Sequence, residues 1–148
     1  MSVTILVSGA FDPIHEGHLS LLKEAKRIGR LVVAVNSDEY VKRKKGACLL
    51  PRAVRAEVLK NLRVVDEVLV SWTEYNSTAI DAIQMLNNKT SSGDILIVAN
   101  GGDVSPTKAN LEEWQFCARL GIPVLFGVGG NKKNSSSNLL KDYISNQR

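Results

Sequence analysis

Apolar positions in this chain come in short unbroken runs, separated by stretches in which they recur every three or four residues. The runs are Val3 to Val7, Leu31 to Val35, Glu67 to Val70, Asp94 to Ala99 and Pro123 to Phe126. Such runs read as strands, and Asp94 to Ala99, which holds ILIVA without alternation, reads as a strand covered on both faces. Between them the spacing turns helical. Leu19, Leu22, Ala25 and Ile28 form one stripe of a helix that begins near Glu16. Pro51 opens a second helix, with Val54, Val58, Leu59 and Leu62 as its apolar face. Ser77 to about Leu86 predicts a third, with Ser77 as its cap and Ile80 and Ile83 inward. Lys108 to Leu120 predicts a fourth, burying Leu111, Trp114 and Ala118 and ended by Gly121. Ser135-Ser136-Ser137 caps a last helix through Ile144. Val41 to Gly46 is basic, has no apolar period, and reads as a loop or loose helix.

Strands alternating with helices predict an α/β fold, a Rossmann-like three-layer sandwich around a mainly parallel five-stranded sheet with right-handed crossovers. The 148 residues fit a single domain, 1–148, with no internal repeat and no linker. In such sheets ligands bind at the carboxyl ends of the strands. The polar stretches rich in chemistry all fall at those ends.

Composition narrows this only a little. A net charge of +4 suits a polyanionic substrate and weak nucleic-acid attraction equally. Cys48 and Cys117 form no CxxC pair, so neither a metal site nor a disulfide framework is expected. No apolar run reaches membrane-spanning length and no basic-then-apolar leader begins the sequence, so a cytoplasmic location is expected.

The chemistry concentrates where the first strand meets the first helix. Gly9, Ala10, Phe11, Asp12, His15, Gly17 and His18 share this turn. His15 and His18 stand three apart, so both imidazoles lie on one face of the helix start. That end offers backbone N–H groups and the positive end of the helix dipole, a seat for phosphate. Gly17 removes a side chain between them and lets an anion approach the backbone. Two donors over an anion seat point to phosphoryl or nucleotidyl transfer. Six fixed residue types in ten positions arise by chance below roughly once in ten million starts, so the pattern is a signal in itself.

This pattern, G-x-F-D-x-x-H-x-G-H, resembles the signature of the HxGH nucleotidyltransferases, which include the glycerol-3-phosphate, ethanolamine-phosphate and heptose-phosphate nucleotidylyltransferases. Asn36-Ser37-Asp38, the Val41–Gly46 stretch, Arg55 and Val65-Asp66-Glu67-Val68 also match the family. The resemblance implies that a nucleoside monophosphate passes from CTP or ATP to a small phosphorylated acceptor, a sugar or polyol phosphate, with release of pyrophosphate. His15, His18 and Lys45 would be catalytic. Gly9, Ala10, Phe11, Asp12, Gly17, Asn100, Gly101, Gly102, Asp103, Ser135, Ser136 and Ser137 would bind nucleotide. Lys42, Arg55 and Trp72 would border the acceptor, with Arg55 holding its phosphate bidentately. Mg²⁺, largely phosphate-bound, would accompany the triphosphate. Homodimers are common in the family, so a homodimer is an open reading.

Two boxes depart from the family's pattern. Gly101-Gly102-Asp103 lacks an acidic residue usual there, and Asn134 replaces the isoleucine before the serines, with Lys132 and Lys133 supplying charge instead of an upstream arginine. These departures keep a second reading in view, a non-catalytic nucleotide-binding domain on the same scaffold. Residues 129–137, GGNKKNSSS, are not a Walker A loop, and no G-x-G-x-x-G follows the first strand. A nucleic-acid module would rest on Lys42–Lys45 alone, without an aromatic platform.

Overall fold

A computed structural model of the chain describes residues 2–70, 78–102 and 111–130. The elements are β1 (Val3–Gly9), α1 (Glu16–Ile28), β2 (Arg30–Val35), α2 (Asp38–Lys45), α3 (Arg52–Lys60), β3 (Glu67–Val70), α4 (Thr78–Lys89), β4 (Ile95–Gly101), α5 (Leu111–Leu120) and β5 (Val124–Val128). The five strands make one sheet in the order β3-β2-β1-β4-β5, and every pair is parallel.

Alternating strand residues feed two separate cores, which is why the strand runs are apolar throughout. Ile5, Val7, Leu31, Val33, Val35 and Ala99 pack with Leu22 and Ala25 of α1 and Ala56 and Leu59 of α3. Leu6, Val32, Ala34, Leu96 and Val98 pack on the other face with Ala79, Ala82, Ile83 and Leu86 of α4 and Cys117 of α5. This is the expected three-layer α/β sandwich. The chain builds outward from β1 to β3, then returns to lay β4 on the other side of β1. The adjacent carboxyl ends of β1 and β4 are therefore the switch point, where such sheets open a crevice.

One local alternative is decided and two expectations are corrected. Of loop or loose helix, the basic stretch is a helix: Ser37 caps α2 by accepting the Tyr40 N–H at 3.1 Å, and Gly46 ends it at φ +88°. Its acidic first turn and basic last turn, Lys42 to Lys45, complement the helix dipole, which compensates for burying only Val41. The inner face of α3 carries Arg55, Ala56 and Leu59, whereas Val54 and Val58 are exposed. On α5, Cys117 is buried and Leu111, Trp114 and Ala118 face outward. In each helix one residue outside the expected apolar stripe, the hydrogen-bonded Arg55 in α3 and Cys117 in α5, takes the face against the sheet. Ser77, Trp72, Asp103, Lys132, Lys133, Ser135, Ser136, Ser137 and the last helix lie outside the described residues.

Candidate active site

The turn after β1 is built to present two imidazoles. His15, in extended conformation (φ −145°, ψ −177°), is the N-cap of α1. Its Nδ1 accepts the Gly17 N–H at 3.1 Å, and the His18 Nδ1 accepts the His15 N–H at 3.2 Å. This is a reciprocal capping pair made from two histidines rather than the usual hydroxyl and carboxylate. The rings stack at 3.8 Å between centroids, 27° apart in plane. A neutral imidazole that accepts at Nδ1 carries its hydrogen on Nε2. The cap therefore sets the tautomer of both rings, and each becomes an Nε2–H donor.

Phe11 is the floor beneath them. It is buried, at φ +51°, with its ring 4.9 Å from the His18 ring. It lies close over Gly9, where an added Cβ would come within 3.2 Å of its Cε2. The glycine is there for the phenylalanine, and the phenylalanine supports the histidine.

The cleft itself is lined from three strand ends. β1 and the turn after it contribute Ser8, Gly9, Phe11, His15, Gly17 and His18; β4 contributes Asn100, Gly101 and Gly102 with Ala99; β5 contributes Val128, Gly129 and Gly130. Leu21 of α1 closes it. The histidine turn and the Asn-Gly-Gly stretch thus meet, as expected. Gly129 and Gly130, which open the GGNKKNSSS stretch expected at the strand ends, meet them too. Gly129 has φ +85°, and a Cβ there would stand 2.7 Å from the Leu21 N. Only glycine lets β5 deliver its loop against α1.

Other residues expected at the ligand turn inward. Asp12 is buried, and its two carboxylate oxygens accept the N–H groups of Leu49 and Leu50, each at 2.7 Å. Ala10 gives its carbonyl to Arg55 at 2.8 Å and is not part of the cleft lining. Arg55, expected to grip the acceptor phosphate, is buried and spends its guanidinium on the protein. It donates to Leu50 O at 2.8 Å, Ala10 O at 2.8 Å, Asn36 O at 2.9 Å and Asp38 Oδ1 at 2.6 Å. A side chain so engaged holds loops rather than substrate. Lys42 and Lys45 occupy the last turn of α2, exposed and outside the cleft lining.

The electrostatics follow these contacts. Burial pushes the Asp38 carboxyl up, but the Arg55 guanidinium, the Arg52 N–H and the Cys48 thiol outweigh it and hold it below the ordinary carboxylate range. Burial raises the Cys48 thiol above its ordinary value, and neighbouring Asp12 and Asp38 add to this. Among the described residues no group of three or more His, Cys, Asp or Glu could hold a metal ion.

Fold and site together define an α/β domain with a helix N-terminus at its switch-point cleft, capped by two histidines whose Nδ1 atoms accept backbone N–H groups. Residues 6–115 match the cytidylyltransferase-like family. The chain belongs to that family, within the HxGH nucleotidyltransferase superfamily. Among curated proteins it is 47% identical over 70 residues to an FAD synthase of Pyrococcus horikoshii, covering 46% of this chain and 47% of that one. It is 39% identical over 87 residues to the FAD synthase of Thermococcus sibiricus, covering 57% of each. The match to the bifunctional protein HldE of Sodalis glossinidius is 41% identical over 107 residues, 69% of this chain and 20% of that one. The chain thus spans about half the length of these FAD synthases. Of solved structures, the lipopolysaccharide core biosynthesis protein from Thermoplasma volcanium superposes with a TM-score of 0.69 at 23% identity, over 90% of this chain and 100% of that one. That likeness speaks for the fold. No helix among the described residues is long and apolar enough to cross a membrane.

Proposed function

We propose that this chain is a nucleotidyltransferase that moves a nucleoside monophosphate from a triphosphate, ATP in the first instance, to the phosphate of a small acceptor, releasing pyrophosphate. One observation carries the reading: the reciprocal His15–His18 cap, which aims two Nε2–H donors from a helix N-terminus that lines the switch-point cleft. An acceptor phosphate oxygen attacks the α-phosphorus in line. The new O–P bond forms as the bond from that phosphorus to the bridging oxygen breaks, and pyrophosphate leaves with the electron pair. The two imidazoles donate to the phosphate oxygens as charge builds there, which is stabilisation by preorganised donors. Positioning supplies the rest, and the chain needs no nucleophile of its own.

A magnesium ion would accompany the triphosphate, bound largely by its phosphates.

The FAD synthase relatives support ATP as donor and FMN as the first acceptor to test, since FAD is AMP joined to FMN through a pyrophosphate bridge. A sugar or polyol phosphate is the second, on the likeness of the Val41–Gly46 stretch to heptose-phosphate enzymes. Pyrophosphate release, measured with ATP and CTP against FMN, sugar phosphates and glycerol phosphate, tests both together. Turnover with one pair is the expected result. Nucleotide binding without turnover on any acceptor would favour the non-catalytic reading.

A further inference from the structure

We propose that Arg55 is a positioning residue, fixing the segment from Gly46 to Arg52 and the start of α2 against the histidine turn and thereby setting how the acceptor is held. The inference rests on the nucleotidyltransferase reading for its substrate, but its geometry stands on the fold.

Four hydrogen bonds from one buried guanidinium reach three separate stretches of chain. Ala10 belongs to the histidine turn, Asn36 and Asp38 to the entry into α2, and Leu50 to the segment between α2 and α3. Asp12 closes the loop from the other side through the Leu49 and Leu50 N–H groups. Asp38 also accepts the Arg52 N–H at 2.8 Å, while the Cys48 Sγ lies 3.1 Å from Leu50 O and 3.5 Å from Asp38 Oδ1. The entry to α2 and the Leu49–Leu50 stretch beyond its end are therefore both pinned to the turn that carries the histidines. Between those pins hang the four cations of its last turn, Lys42, Arg43, Lys44 and Lys45.

The side of the turn matters. The cleft opens between β1 and β4, whereas β2 and α2 lie beyond β1 on the other side. In-line transfer places the attacking oxygen opposite the leaving pyrophosphate. The acceptor is assigned to the α2 side of the histidine turn, because the cations in the last turn of that helix suit a second phosphate. A planar fork with donors in fixed directions can bind three carbonyls and a carboxylate at once, and an ammonium cannot reproduce it. Misplacing reacting groups by about 1 Å can cost about a hundredfold in rate.

The test uses Arg55→Lys in the full chain, with Asp66→Asn as control. Asp66 bonds Lys26 and the Leu31 N–H at the opposite end of the sheet. Arg55→Lys is expected to leave affinity for a non-hydrolysable ATP analogue within about twofold while raising the acceptor KM about tenfold or more. It should also speed labelling of Cys48 by a maleimide; Cys117 is buried and should stay silent. Asp66→Asn should lower Tm without moving either readout. An unchanged acceptor KM and labelling rate in Arg55→Lys would overturn the proposal, as would the same shifts in Asp66→Asn. If Arg55→Lys does not fold, Asp38→Asn is judged by the same measures. If the wild type turns over no acceptor, the functional reading fails separately, and the labelling rate alone decides whether Arg55 holds the segment.

Discussion

His15 both caps a helix and offers a donor, and one substitution can separate these roles. Asparagine ranks among the best N-cap residues, so His15→Asn keeps an acceptor for the Gly17 N–H while removing the Nε2–H. His15→Ala removes both. Loss of an N-cap costs about 1 kcal/mol, or roughly 3 °C in Tm for a chain of this size. Loss of one preorganised donor to a charge-building phosphate lowers kcat about 10²- to 10³-fold, or about 2.7–4 kcal/mol. We therefore expect His15→Asn to melt within about 1 °C of wild type yet lose about a hundredfold or more in kcat. His15→Ala should show the same kinetic loss and a Tm about 3 °C lower. Neither loss of stability approaches the 5–15 kcal/mol typical of a folded domain, so the protein stays folded during the assay. Scanning calorimetry with pyrophosphate-release kinetics on the three proteins reads both quantities. Near-wild-type kcat in His15→Asn would refute the assignment of the ring as a donor. Equal Tm losses in both variants would refute the cap.

Other expectations follow from single contacts. His18→Ala removes the acceptor for the His15 N–H together with its own donor, and should lose about 10² to 10³ in kcat in the same assay. Gly129→Ala forces a side chain to φ +85° and sets its Cβ 2.7 Å from the Leu21 N, so urea unfolding should show a loss of about 2 kcal/mol or more. The Asp66 carboxyl is held below its ordinary range by the Lys26 ammonium first and the Leu31 N–H second. A lowered folded-state value stabilises above the unfolded carboxylate range and is lost as pH falls through it. The stability gap between wild type and Asp66→Asn, followed by urea midpoints, should therefore close as pH drops below about 4. A gap that widens in acid would contradict the ion pair.

Much of the fold could be read from the run lengths. Five apolar runs implied five strands, and the two cores show why such runs need not alternate, since successive residues such as Ile5, Leu6 and Val7 enter different layers. What pattern reading missed has one cause: it lets apolar residues choose the buried face. Val54 and Val58 share a helical stripe, but Arg55 satisfies four hydrogen bonds inside and takes the inner position from them. A buried arginine gives no hydrophobic signal. Helix α2 reads from its pattern as either loop or loose helix because only Val41 of its eight residues is buried, too few to set an apolar period. Its ends were nonetheless written in Ser37 and Gly46, a capping residue before and a left-handed glycine after.

The site sorts the motif into two kinds of residue that the sequence presents alike. His15, Gly17 and His18 line the cleft, while Ala10 and Asp12 face the protein and Phe11 lies between, as floor. Asp12 must reach Leu49 and Leu50 across 37 and 38 residues of chain, and Phe11 must slide under His18 over a bare Gly9. The spacing Gly-x-Phe-Asp-x-x-His-x-Gly-His is thus first a specification for folding a turn. Its chemistry is a consequence: once each imidazole is committed to a backbone N–H through Nδ1, the remaining hydrogen on each ring has one place to be. A helix capped by serine and glutamate would fold as well and present no such donors. On the proposed function, the use of histidine at both capping positions is what fits this helix start for handling phosphate.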